Sequence, residues 1–267
     1  MSAIDTLFRE LRGTGRKAMM PFVTAGDPDL EFTAAVLRRL DGQGCHLFEV
    51  GIPYSDPVAD GPVIQASYTR ALEKKVKLAD IFQMLTRLTP ALAAPVVSMV
   101  SYAIVYRQGL AEYVGRAKAA GVAGVIVPDL PVEESGPLAE TCRREDLSLI
   151  HLVTPTTPRD RARLIAERTT GFIYYVSVTG ITGERTELPH EVLDKVAQLR
   201  EDTELPICIG FGISRPEHVR MLMPVADGLI VGSAVVRRIA EAAGQPREQV
   251  LDKVSRYVAD LLAAMQA

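Results

Sequence analysis

Glu49 stands in the middle of an apolar run, LFEVGI. The chain leaves that run through PYSDPVADGP, where Asp56 and Asp60 lie among Pro53, Pro57 and Pro62. An isolated buried carboxylate is costly unless it is paired or neutralised. Two uses are open to Glu49: a structural salt bridge with a helix residue, or proton transfer. In a strand, Phe48 and Val50 share one side, and Glu49 shares the other with Leu47 and Gly51. If that side is dry, desolvation raises the carboxyl pKa towards neutrality, as a general acid–base requires.

The elements that position Glu49 follow from the apolar pattern. Short apolar runs recur at 18–23, 45–52, 95–102, 121–128, 147–153, 171–178, 205–212 and 226–232. Helical patterns such as DLEFTAAVLRRLDGQG, YRQGLAEYVGRAKAAG and RDRARLIAERTTG separate them, several ending in the glycine that suits a left-handed C-terminal cap. Near-continuous apolar strands alternating with helices imply a parallel sheet covered on both faces. Eight such units in 267 residues predict an α/β fold, a closed (β/α)8 or TIM barrel. We expect one domain over residues 1–267, a short extra helix near residues 3–13, and another after strand 8. In this fold the βα loops at the C-terminal ends of the strands build the active site. Glu49, near the end of strand 2, and the loop after it would then sit at the barrel mouth.

Strands 7 and 8 end in IGFGIS and IVGSAVVRRI. Phosphate sites of this fold use the loops after these strands and the N-terminus of a short helix. Gly212, Gly232 and Ser233, with Gly183 from the strand 6 loop, predict a phosphate grip made of backbone N–H groups and a helix dipole. Glycines that merely end strands are the plainer explanation for any one of them. Other phosphosugar chemistries fit less well. No lysine lies between Lys118 and Lys195, so strands 5 and 6 provide no Schiff base. Of the four histidines, His46 is at the wrong end of strand 2, and His190 and His218 fall in helical patterns. His151 alone lies in a strand, and reads as a satisfied core histidine. No metal cluster suggests itself, and carboxylates remain as the acid–base groups.

Composition sets further bounds. The net charge is −3, with 30 basic and 33 acidic residues interspersed, so no nucleic-acid partner is indicated. No stretch approaches ~18 unbroken apolar residues, and no membrane span is expected. The N-terminus is amphipathic and lacks a signal-peptide core. Three scattered cysteines, Cys45, Cys142 and Cys208, read as free thiols in a reducing cytoplasm.

The stretches PFVTAGDP (21–28), FEVGIPYSDPVADGP (48–62), VPDLPVEES (127–135), YVSVTGITG (175–183), GFGIS (210–214) and IVGSA (230–234) occur in one order and spacing. Together they resemble the tryptophan synthase α subunit family over essentially the whole chain. The resemblance implies cleavage of indole-3-glycerol phosphate to indole and glyceraldehyde 3-phosphate. It implies no cofactor, and a β subunit as partner in an αββα complex. It makes Glu49 the group that moves protons at indole C3 and the glycerol hydroxyl, and Asp60 the acceptor for the indole N–H. It places Phe22, Val100, Tyr102, Val127, Leu152, Tyr174 and Phe211 around the indole, although each alone reads as barrel core. It makes Asp129 an organiser of the strand 2 loop, with helix capping as the alternative. Thr182 becomes a loop donor to Asp60, and Asp56 and Pro57 become partner contacts. Val178 stands where an arginine occurs in the family. Two other readings stay open on the residues alone: another phosphosugar isomerase-like barrel, and a non-catalytic activator of a β subunit.

Overall fold

The computed structural model describes residues 2–57, 60–176, 191–210 and 212–266. Among them are nine parallel strands in one sheet: β1 (Ala18–Thr24), β2 (Phe48–Gly51), β3 (Val96–Met99), β4 (Val122–Ile126), β5 (Ser148–Ile150), β6 (Leu152–Val153), β7 (Ile173–Val176), β8 (Ile207–Gly210) and β9 (Gly228–Val231). Their order is β5-β4-β3-β2-β1-β9-β8-β7-β6. Eight strands were expected, and the ninth is the 147–153 run split at His151. β5 pairs with β4, while β6 pairs with β7. The run thus changes partners midway and closes the ring, and the fold is a TIM barrel.

Alternation along the strands sorts side chains into two layers. Met20, Phe22, Leu47, Val97, Ile150, Tyr174 and Cys208 pack in one buried cluster inside the barrel. Val23, Phe48, Val50, Leu149, Val153, Tyr175 and Ile209 pack in the other, against the surrounding helices. Phe48 and Val50 therefore face outward, and Glu49 between them faces the axis.

The helices depart from the expected pattern at one point. Gly109 adopts φ +90 and divides the 106–121 pattern, giving helices Tyr102–Gln108 and Leu110–Ala119. The second ends before Gly121, at φ +77, where a Cβ would fall 2.2 Å from Thr89 Oγ1. The three cysteines are free and buried. Burial first, with Asp41 adding for Cys45, pushes the Cys45 and Cys142 thiols up to about 12.

The base of the barrel is sealed by the N-terminal helix Ala3–Gly13. Ser2 and Asp5 form a capping box that fixes its start. Its buried face, Ile4, Phe8 and Leu11, joins the interior cluster. Phe8 packs against Phe172 with ring centroids 5.8 Å apart. Phe8→Ala should therefore lower the unfolding free energy by about 3–5 kcal/mol in a denaturant titration. A loss under about 1 kcal/mol would mean that the helix only lies on the surface.

Candidate active site

Glu49 is 1% exposed, between Phe22 of β1 and Val97 of β3 in the sheet register. Among the described residues, neither carboxylate oxygen has a hydrogen-bond or ion-pair partner, so none of them provides the salt bridge. Burial first, then the charge of Asp60, pushes its pKa up to about 8. Glu49 is thus a protonated acid at neutral pH, able to become a strong base once it gives its proton away.

Asp60 reaches the same space from the loop after β2. Its backbone is held by an N–H bond to the Pro57 carbonyl (3.0 Å) and by Gln65 Nε2 donating to its own carbonyl (2.7 Å). Burial raises its carboxyl to about 6, so it is mostly ionised at pH 7. One carboxyl protonated and its neighbour charged is the division of labour that acid–base pairs use.

Three tyrosines surround the pair. Burial, Asp60 and Glu49 all raise the hydroxyl pKa values of Tyr68 and Tyr174; burial, Asp60 and Asp129 raise that of Tyr54. Tyr54 and Tyr68 pack with centroids 5.5 Å apart. The sequence reading missed both. Tyr68 lies on helix Pro62–Glu73, one turn after the buried Ile64, and that spacing was the available signal. Glycine makes room here: a Cβ on Gly51 would meet Phe22 Cζ at 2.5 Å and the Tyr68 hydroxyl at 2.8 Å.

The other sequence-derived positions divide. Phe22, Leu152 and Tyr174 belong to the barrel interior. Val127 packs with the outer layer, yet lines a cavity of about 550 Å³ together with Asp60 and Leu152. Val100 and Tyr102 also pack with the outer layer. Asp129 accepts from Ser101 Oγ (2.6 Å) and the Tyr102 backbone N–H (2.8 Å), so it caps helix Tyr102–Gln108. The capping alternative describes its hydrogen bonds among the described residues, and its charge also raises the Tyr54 hydroxyl of the 53–60 loop. Asp56 and Pro57 lie at the surface of that loop, with Ser55 Oγ donating to Asp56 (2.8 Å).

Gly232 ends β9 and is the N-cap of helix Ser233–Ala240, which has no side-chain cap bond. The first N–H groups of that helix are left for an outside acceptor. Gly212, at φ +78, follows β8. Gly183, Thr182, Val178 and Phe211 lie outside the described residues. His151 is buried as expected, and its Nε2 has no partner among the described residues.

The family model "Tryptophan synthase alpha chain" matches residues 8–266. A tryptophan synthase alpha chain from Rhodopirellula baltica is 56% identical over 257 residues, covering 95% of this chain and 92% of that one. One from Acaryochloris marina is 46% identical, covering 99% and 98%. Among solved structures, tryptophan synthase subunit alpha from Legionella pneumophila superposes with a TM-score of 0.91 at 31% identity, covering 100% and 99%. A chain of the tryptophan synthase complex from Pyrococcus furiosus gives 0.85 at 36%, covering 93% and 99%.

The protonation of Glu49 can be read from stability. Its folded pKa of about 8 lies above the ordinary 4.5. The folded state therefore binds the extra proton, and this contribution to stability is lost as pH rises from about 4.5 to about 8. Glu49→Gln removes that loss. Urea midpoints should show the variant gaining on the native chain between about pH 5 and pH 8; parallel curves would mean that the carboxyl is solvated.

Proposed function

We propose that this chain, which belongs to the tryptophan synthase alpha chain family, cleaves indole-3-glycerol phosphate with Glu49 and Asp60 as its acid–base pair. The reaction is the α reaction of tryptophan biosynthesis, a carbon–carbon lyase step giving indole and glyceraldehyde 3-phosphate. The observation that carries the residue assignment is the buried Glu49 carboxyl, unpartnered among the described residues and facing the barrel axis, with Asp60 beside it.

Protonated Glu49 delivers its proton to C3 of the indole ring. The resulting cation has its charge on the ring nitrogen, where ionised Asp60 accepts the N–H and stabilises it. Glu49, now a carboxylate in a dry site, takes the proton of the hydroxyl on the carbon attached to C3. The O–H electrons form the aldehyde C=O, the bond to C3 breaks, and its electron pair returns to the ring, neutralising the nitrogen. Indole leaves with the transferred proton on C3, and Glu49 is protonated again. The ring is its own electron sink, so the chain's residues need only move protons.

Phe22, Leu152, Tyr174 and Val127 fit the walls around the ring. Gly212, Gly232 and Ser233, with Gly183, fit the phosphate, supported by the uncapped start of helix Ser233–Ala240. The whole chain, residues 1–267, acts as one barrel domain in the cytoplasm, in keeping with its three free thiols. The chain works with a β subunit, in an αββα complex. Asp56, exposed, and Pro57, half-buried, on the loop that carries Asp60, contact that partner.

Glu49→Gln should lower cleavage by roughly 10²–10⁴-fold with substrate affinity retained; near-native turnover would sink the mechanism. The active form has Asp60 charged and Glu49 protonated. With these groups at about 6 and about 8, kcat/KM should be bell-shaped, with the limbs belonging to the pair as a whole. A profile that stays flat across that range would argue against two coupled carboxyls. Asp56→Ala should reduce activation by the β subunit more than it changes cleavage by the chain alone. Equal losses would make Asp56 a structural residue.

A further inference from the structure

Helix Pro62–Glu73 begins two residues after Asp60 and is anchored on two adjoining faces. On one, Ile64 and Tyr68 are buried in the interior cluster of the barrel. On the other, Ser67 and Arg70, with Lys74 just past the helix end, are spaced by three and four. That second face is bonded to the end of β1 and the loop after it. Thr24 Oγ1 lies 2.6 Å from Ser67 Oγ, both residues buried. Arg70 donates to both oxygens of Asp27, Nε to Oδ1 at 2.8 Å and Nη2 to Oδ2 at 2.6 Å. Lys74 Nζ donates to the Pro28 carbonyl at 2.5 Å.

The mechanism above gives Asp27 and Arg70 no part. Yet the Asp27 side chain is 1% exposed, and the loss of water around a carboxylate is offset only by a partner of excellent geometry. The guanidinium fork has that geometry, and its two parallel bonds fix rotation as well as distance. What they fix here is the roll of the helix. On the same helix Gln65 Nε2 donates to the carbonyls of Asp60 (2.7 Å) and Pro57 (3.3 Å), and so holds the loop that carries the second carboxyl. Tyr68 stands so close to β2 that a Cβ on Gly51 would meet its hydroxyl at 2.8 Å. The charges of Asp60 and Glu49 both act on that hydroxyl. A helix turns as one body, so a roll at Arg70 moves Gln65 and Tyr68 with it.

We propose that Asp27 and Arg70 are positioning residues for the cleavage: their two-bond pair sets the roll of helix Pro62–Glu73 and, through Gln65, the placement of Asp60 against Glu49. The proposal rests on reading Glu49 and Asp60 as the acid–base pair. The ring and phosphate contacts are assigned to other elements, so the pair acts on turnover rather than on substrate affinity.

The test is steady-state cleavage by the full chain. Arg70→Lys keeps the charge and removes the fork. It should lower kcat roughly 10–10²-fold, as a small misplacement does, with KM changed by less than about twofold. Asp60→Asn is slow for its own reason. Adding Arg70→Lys to it should slow it further by less than about twofold, because the group being placed is gone. A role in stability alone predicts the same factor in both backgrounds. Removing one partner outright can unfold the chain by leaving a buried charge, whereas replacing both, Asp27→Leu with Arg70→Met, avoids it. That double variant should keep its urea midpoint and still lose turnover. Native kcat in Arg70→Lys or in the folded double variant, or equal factors with and without Asp60, overturns the proposal while Asp60 keeps its role. Near-native turnover of Asp60→Asn alone overturns the acid–base reading, and the proposal with it.

Discussion

Removing Glu49 from water is the constraint on which the rest of the molecule turns. A carboxyl without a partner stays buried only by keeping its proton, and it keeps its proton only while the space around it stays dry. The interior layer of the barrel supplies that dryness, with Phe22 and Val97 beside Glu49 in the sheet. The N-terminal helix covers the far end with Ile4 and Phe8, which pack into the same interior layer. Tyr68 and Tyr174 complete the wall with rings that are fully buried yet carry a polar edge. Asp60 adds a charge that opposes ionisation of Glu49. Each of these would be an unremarkable packing choice in a barrel without the carboxyl.

The same constraint explains why the loop after β2 is built as it is. Asp60 must stay charged while standing close to a dry acid. Gln65 and the Pro57 carbonyl hold its backbone. Asp129 works differently: both its oxygens hold the start of helix Tyr102–Gln108, and its charge also raises the Tyr54 hydroxyl on the loop.

Much of this was legible in the sequence, for physical reasons that differ by element. The strands announce themselves because a parallel sheet covered by helices needs apolar residues on both faces, and Glu49 stood out against that background. The N-terminal helix was legible in its amphipathic pattern. The break at His151 was not, because LSLIHLV reads as one strand and only pairing with two neighbours divides it. Gly109 looked tolerable inside a helical pattern, and its positive φ is a tertiary choice. Tyr54 and Tyr68 were missed because an aromatic residue on a helix or loop carries no mark of the strand end it will cover. Asp129 lay in a recognised motif, but its hydrogen-bond partners come from a different βα loop, which no local pattern encodes.

The placement of the three cysteines has a practical consequence. All are buried, and the burial that raises their pKa values keeps them as thiols, the form that neither alkylates nor oxidises readily. The native chain is therefore chemically silent towards maleimides and similar reagents while it stays folded. A single cysteine engineered at the exposed Tyr106 would be the one reactive position. A dye or spin label could then report on the barrel rim without first stripping out the native sulfurs, and labelling of any native cysteine would itself register unfolding.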